Sequence, residues 1–224
     1  MIDQRIRMAA DLYDPCSLGA DIGCDHGLLP CHLLRQGICD RMICADLSEK
    51  ALQHARSNIH MRDLDSRAIF VCADGFDALR AVPDAPGCVS LMGVGGRVAR
   101  NILLKGADLL RGATLILSVH RDVPLGRQAL QEIGYQICEE RLCLENGRFY
   151  ILWKARPGSM QLTQEEMLLG TKLFDEDDAV LLPYLRRRIS ILEKQCAASP
   201  ENDADTARFE LQCLRSRLGA LLSR

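Results

Sequence analysis

Between Leu18 and Val119, short apolar runs alternate with helix-like segments, and this alternation restricts the chain to a buried parallel sheet joined by helical crossovers. Leu18-Gly19-Ala20-Asp21-Ile22-Gly23 reads as a strand ending in a glycine turn, followed by a helix over 28–35. Met42-Ile43-Cys44-Ala45-Asp46 reads as a second strand, after which Ser48 caps a helix with Ala51, Leu52 and Ala55 on one face. Runs at 69–74, 88–92 and 114–119 supply three more strands. After a helix over 125–133 the pattern changes. Runs at 135–144 and 148–154 flank Glu145-Asn146-Gly147, and Asn-Gly is a strong hairpin signal, so an antiparallel hairpin should close the sheet. Arg156-Pro157-Gly158-Ser159 reads as a linker.

The last 67 residues carry no strand signal. Leu185, Ile189, Leu192 and Cys196 form one apolar seam, and Leu211, Leu214, Leu218 and Leu221 form another. Ser199-Pro200 between them suits an N-cap with proline at the first helical position. The expectation is a Rossmann-like α/β domain over 1–157 and a helical hairpin, packed as a short coiled coil, over 158–224.

Composition narrows the function classes. Lys and Arg total 28 against 30 Asp and Glu, a formal net charge of −2, so no global field marks a polyanionic partner. Aromatics at 4% argue against a surface built on base stacking. No apolar run approaches the roughly 18–20 residues that span a bilayer, and the polar start Met1-Ile2-Asp3-Gln4-Arg5 lacks a secretory stretch. A cytoplasmic protein without a membrane partner is expected. Its 11 cysteines include no Cys-x-x-Cys, and the five histidines show no ligand spacing, so reduced core thiols and no metal are expected.

Ligands of doubly wound sheets bind beyond the carboxyl ends of the strands, and the residues expected there are informative. The first strand ends Asp21-Ile22-Gly23-Cys24-Asp25-His26-Gly27, an Asp-x-Gly-x-x-x-Gly pattern rather than the Gly-x-Gly-x-x-Gly of nicotinamide folds. Its acids would repel a pyrophosphate and suit a cationic ligand. Asp46, with Leu47 beside it, ends the second strand, where a carboxylate can accept both hydroxyls of a ribose. Asp74, followed by Gly75, lies past the third and can accept from an adenine amino group or order the rim. Each acid alone could be a helix cap. Together they describe a pocket for S-adenosylmethionine. The fourth strand ends Met92-Gly93-Val94-Gly95-Gly96-Arg97, a glycine loop that can lie against methionine and an incoming base.

These residues resemble a family. Ala20-Asp21-Ile22-Gly23-Cys24-Asp25-His26-Gly27-Leu28-Leu29-Pro30, Asp74-Gly75-Phe76 and Gly93-Val94-Gly95-Gly96 are similar to the bacterial tRNA (adenine-N1)-methyltransferases that modify adenine 22, the TrmK family. The similarity continues through Gly134-Tyr135-Gln136-Ile137 and Gly147-Arg148-Phe149-Tyr150. The chain departs from the family's Gly-Met-Gly-Gly at Val94, and from its Gln-Pro-Asn at Ser118-Val119-His120. The resemblance implies a methyltransferase with S-adenosylmethionine as donor, S-adenosylhomocysteine as product and tRNA as acceptor.

That acceptor sets the chemistry. Adenine N1 keeps an in-plane lone pair, so positioning and desolvation can carry much of the rate. The product is cationic, and a nearby carboxylate would stabilise it or take the N6 proton. Asp25 is the candidate, with His26 orienting it or contacting the base; a structural turn is the alternative role for Asp25. Asp21, Gly23, Cys24, Gly27, Asp46, Leu47, Asp74, Gly75 and Gly93 fall on the cofactor side. Gly95, Gly96 and His120 fall on the substrate side. Residues 1–157 carry 19 basic and 19 acidic side chains, so RNA contact must come from local clusters: Arg97, Arg100 and Lys105, and Arg186-Arg187-Arg188. A monomer is expected. The other readings are a methyltransferase for another RNA or a small molecule, and a non-catalytic RNA-binding scaffold.

Overall fold

A computed structural model of the protein describes residues 3–175, 178–198 and 204–223. The chain divides into two compact units, Met1–Gln161 and Leu162–Arg224. Seven strands form one sheet in the first unit: β1 (Cys16–Ile22), β2 (Cys39–Asp46), β3 (Ala68–Cys72), β4 (Cys88–Val94), β5 (Thr114–Val119), β6 (Tyr135–Glu145) and β7 (Arg148–Pro157). Their order is β3-β2-β1-β4-β5-β7-β6. The neighbours from β3 to β5 pair in parallel, and β7 pairs antiparallel with both β5 and β6. The expected α/β sheet and its closing hairpin are therefore present.

The strands form because their residues are apolar on both faces. Every residue of β5 is buried, as are Ala20, Ile22, Ile43, Cys44, Val89 and Leu91. Chain order reverses between β1 and β4, which sit side by side with Asp21 opposite Ser90. The carboxyl ends of these two strands are thus the switch point, where the fold leaves a crevice.

Helix α2 (Leu28–Gln36) follows β1, α3 (Glu49–His60) follows β2, α4 (Gly96–Gly106) follows β4, and α5 (Val123–Glu132) follows β5. Ser48 caps α3 by accepting from the Ala51 N–H. The third strand stops at Cys72, two residues short of the expected end, and the fourth runs two residues further, to Val94, through an irregularity between Met92 and Val94.

An unanticipated helix precedes the sheet. In α1 (Gln4–Asp11), Asp3 accepts from the Arg5 N–H, and Ile6, Ala9 and Ala10 are buried at i, i+3, i+4 spacing. It is only 8 residues long, which keeps its periodic signal weak in sequence.

The second unit holds α6 (Gln164–Leu169), α7 (Asp178–Ala198) and α8 (Ala204–Leu222). A Thr163–Glu166 capping box starts α6, a helix the seam pattern does not announce. Helices α7 and α8 pack against each other, burying Leu185, Ile189, Leu192, Leu211, Leu214 and Leu221. Cys196 and Leu218 are only partly buried. The expected cap at Ser199-Pro200 lies outside the described residues. No helix among the described residues is long and apolar enough to cross a membrane.

Candidate active site

The crevice holds a cavity of about 400 Å³ lined by residues from α1, the loop between β1 and α2, and the end of β4. Asp21, Gly23, Cys24, Asp25, His26 and Gly93, all expected site residues, line it together. So does Arg5, which sequence reasoning missed.

Asp21 is buried on β1, and its Oδ1 accepts from the Ser90 hydroxyl at 2.5 Å. The Tyr13 hydroxyl lies 2.7 Å from Ser90 Oγ, so two buried hydroxyls lead from the core to the carboxylate. Burial pushes the Asp21 carboxyl up to about 7, with the Asp46 charge adding to the rise; the Ser90 bond and Arg5 oppose it. A buried carboxyl that lines a cavity, its charged form desolvated, is a group that a cationic ligand would favour in the ionised state.

Gly23 turns the chain out of β1 with φ +73°, and a Cβ there would meet nothing within 4 Å. The backbone requires glycine at this point while the space beside it stays open. Asp25 also has positive φ, 47°, which aspartate tolerates better than most residues. Its backbone N–H donates to Asp46 Oδ2 at 3.1 Å, and the Ser48 N–H donates to Asp46 Oδ1 at 2.9 Å. Asp46 therefore ties the loops after β1 and β2 together. Each of its oxygens keeps a second lone pair for an incoming hydroxyl.

The Asp25 side chain is 73% exposed and lies 3.7 Å from His26 Nε2. His26 in turn packs near His54, with ring centroids 5.0 Å apart, and its carbonyl accepts from the Asn58 side chain. Asp25 and His26 thus stand at the rim, where a second reactant can reach them. Cys24 is buried, and burial followed by the nearby carboxylates pushes its thiol far above the usual range, so it stays a thiol. Gly27 caps α2 so near α3 that a Cβ on it would lie 3.0 Å from that of Ala55.

Arg5 reaches into the cavity from α1. Its guanidinium lies 5.0 Å from the centre of the Tyr150 ring. Its Nε is buried, and among the described residues it is the one such side-chain atom with no hydrogen-bond partner. A buried unpaired donor costs about 1–3 kcal/mol, while the Nη1 end of the same guanidinium lies beside Gly93, where a Cβ would be 3.9 Å from it. The signal available in sequence was Asp3 as an N-cap ahead of Ile6, Ala9 and Ala10.

The remaining expected residues fall elsewhere. Asp74 and Gly75 line a second cavity of about 220 Å³ with Phe76 and Ile102. Lys105 lies there too, 3.5 Å from Asp74 and 3.3 Å from Asp77. Leu47 is exposed beside Asp46. Gly95 caps α4, and Gly96 is held against the Asp122 carbonyl so closely that a Cβ would lie 2.0 Å from its oxygen. Arg100 pairs with Glu132 through 2.8 and 3.0 Å bonds, and Arg97 lies 3.6 Å from Asp122. His120 is exposed after β5, its N–H bonded to the Val94 carbonyl. In the second unit Arg188 turns inward onto Glu210 at 2.6 Å, while Arg186 and Arg187 are exposed. Among the described residues, no group of three or more His, Cys, Asp or Glu side chains is placed to hold a metal.

Residues 19–220 match the family model of TrmK, tRNA (adenine(22)-N(1))-methyltransferase. A Bacillus subtilis tRNA (adenine(22)-N(1))-methyltransferase is 25% identical over 232 aligned positions, which cover 98% of this chain and 95% of that protein. A Streptococcus pneumoniae candidate tRNA (m1A22) methyltransferase, crystallised in complex with S-adenosyl-L-methionine, superposes with a TM-score of 0.88 at 25% identity, covering 97% of this chain and 100% of the other. A Streptococcus agalactiae protein of the NADB-Rossmann superfamily shares the fold, with a TM-score of 0.89 at 23% identity and 97% of each chain covered. With the family model spanning nearly its whole length, the chain belongs to the TrmK family of tRNA (adenine(22)-N(1))-methyltransferases.

Proposed function

We propose that this protein methylates N1 of adenine 22 in tRNA in the cavity between α1, the β1–α2 loop and the end of β4. The observation that carries the reading is the pairing of a buried carboxyl with an unpaired guanidinium nitrogen in one cavity, on a chain of this family. The group that the family implies, S-adenosylmethionine, has complementary charges. The Arg5 guanidinium suits its methionine carboxylate, Asp21 its ammonium, and Asp46 its ribose hydroxyls, with Gly23, Cys24, Gly27, Leu47 and Gly93 shaping the walls. Asp74 and Gly75 would order the adenine end. When bound, the cofactor would supply a methyl group on a sulfonium, with the S–C electron pair left on sulfur in the product S-adenosylhomocysteine.

The chain's own residues position the acceptor and handle charge. Asp25, exposed at the rim, stabilises the cationic 1-methyladenine or takes its N6 proton. His26 steadies Asp25 or contacts the base. Gly95, Gly96 and His120 form the acceptor side of the β4 and β5 ends. The first unit would be the methyltransferase domain and the helical unit an RNA-contacting appendage, with Arg186 and Arg187 as its phosphate contacts. No metal is required by this reading.

The test is direct. Purified protein, labelled S-adenosylmethionine and unmodified tRNA should yield 1-methyladenosine on nucleoside digestion, and tRNA lacking adenine at position 22 should not. Asp25→Asn keeps the backbone conformation and should lower kcat by roughly 10²-fold with cofactor affinity changed less than about threefold. Full turnover by that variant would remove Asp25 from catalysis.

A further inference from the structure

The basic side chains of the first unit that sequence clusters suggest each have an acidic group nearby. Arg100 and Lys105 are held by acidic partners, and Arg97 lies near Asp122. Arg67 donates to three backbone carbonyls, those of Leu34, Cys39 and Asp40. Two arginines that share a groove differ. Arg35, in the last turn of α2, has no hydrogen-bond or acidic partner among the described residues, and Arg62, just past α3, donates only to the Asn58 carbonyl. Both are exposed, and they converge on one groove.

That groove has a volume of about 410 Å³ and is lined by Asp3, Cys31, His32, Arg35 and Arg62 together with Ile6 and Leu28. Ile6 and Leu28 also line the reaction cavity, so the two spaces share a wall. Leu28 is 45% exposed, an apolar ridge between a cavity ringed by carboxyls and a groove ringed by cations. Cys31 lies close enough to both guanidinium groups to feel their charge, which pulls its thiol down although burial raises it more. Asp3, the one carboxylate in the groove, is engaged in capping α1 through Oδ1. Two unneutralised guanidinium groups and an imidazole against one capping carboxylate leave the groove cationic.

An enzyme that modifies a base takes the base out of its stack into a pocket, while the sugar-phosphate backbone stays outside. The backbone then needs cations next to the pocket and an apolar edge on which the extruded nucleotide can lean. We infer that His32, Arg35 and Arg62 form a phosphate-binding groove for the RNA strand carrying the target adenine, seated against the reaction cavity across Ile6 and Leu28. The inference rests on the proposed tRNA activity for the identity of its ligand.

Direct binding of unmodified tRNA to the full chain tests it, followed by fluorescence anisotropy over a series of salt concentrations. The Arg35→Ala/Arg62→Ala double variant should bind roughly tenfold more weakly, and the slope of log K against log salt should shrink by roughly 1.4–1.8, the loss of two phosphate contacts. Affinity for S-adenosylmethionine and the thermal unfolding midpoint should match the unsubstituted protein. Arg35→Lys/Arg62→Lys should keep most of the slope, and Arg41→Ala, whose side chain pairs with Asp84, should change nothing. If the double alanine variant does not fold, the single Arg35→Gln and Arg62→Gln variants carry the same readings, each with about half the slope change. Wild-type affinity and slope in the substituted protein overturn the inference, as does a loss of cofactor affinity that parallels the loss of tRNA affinity. Binding without formation of 1-methyladenosine by the unsubstituted protein would instead fail the activity, and the groove would still stand or fall on the slope.

Discussion

At the scale of single residues, the site is governed by where burial places charge. Asp21 sits in β1 among apolar neighbours, and its carboxyl rises from the ordinary value of 3.8 to about 7 because the charged form is desolvated. Between those two values the folded chain holds a proton that the unfolded chain has lost. Stability therefore falls as pH rises from about 4 to about 7. Thermal unfolding of the ligand-free protein should show this decline, and Asp21→Asn should flatten it. Cofactor affinity should move the opposite way, rising from about pH 6 to about pH 8 as Asp21 ionises to meet an ammonium, with Asp21→Asn losing the rise. Isothermal titration at several pH values checks that sign. Gly96 belongs to this scale too. A methyl group there would lie 2.0 Å from the Asp122 carbonyl oxygen, so Gly96→Ala must displace the loop before α5. We expect a loss of about 1–3 kcal/mol in urea unfolding, together with reduced turnover, because α4 begins at the site.

Elements are held in place by a few buried polar groups. Helix α5 docks on the antiparallel hairpin through Arg127, whose guanidinium bonds to Glu140 Oε1 on β6 at 2.9 Å and lies 5.1 Å from the Trp153 ring centre on β7. The Trp153 indole N–H donates to the same oxygen at 2.8 Å. All three side chains are fully or almost fully buried. Removing one charge strands the other, so Glu140→Ala should cost about 3–5 kcal/mol, measured by urea unfolding. An apolar pair at positions 127 and 140 should cost much less. One residue further along β7, Lys154 begins a second cluster: Asp14 accepts from Lys154, Arg156 and Thr114, which tie β5 and β7 to the start of β1. Burial alone would raise the Asp14 carboxyl, yet these bonds hold it at about 2. None of these partnerships is readable from sequence spacing, since Arg127 and Glu140 are simply two charges 13 residues apart. Strand positions were readable, because apolar runs bounded by turn residues leave few alternatives. Helix α1 was not, because a helix of 8 residues offers only two turns of periodicity.

For the whole molecule, a net charge of −2 requires that cations be grouped rather than numerous. The acids Asp21, Asp25 and Asp46 gather at the strand ends of the first unit, and many basic residues are already paired with acids in both units. The arginine run at 186–188 divides, with Arg188 bound to Glu210 and Arg186 and Arg187 exposed. Arg186→Glu/Arg187→Glu should raise KM for tRNA by roughly 3–10-fold with a shallower salt dependence, leaving cofactor affinity unchanged; steady-state kinetics at two salt concentrations decides. Sequence by itself determined the strand positions, the hairpin, the glycine turn after Asp21 and the family motif, since each is written in consecutive residues. Tertiary structure alone decided that Asp21 titrates near neutrality, that Arg5 enters the cavity with an unpaired nitrogen, and that Lys105 stands with Asp74. It also brought Arg35 and Arg62 together from α2 and the end of α3. The physical reason is that charge, burial and hydrogen bonding depend on neighbours in space, and those neighbours come from distant parts of the chain.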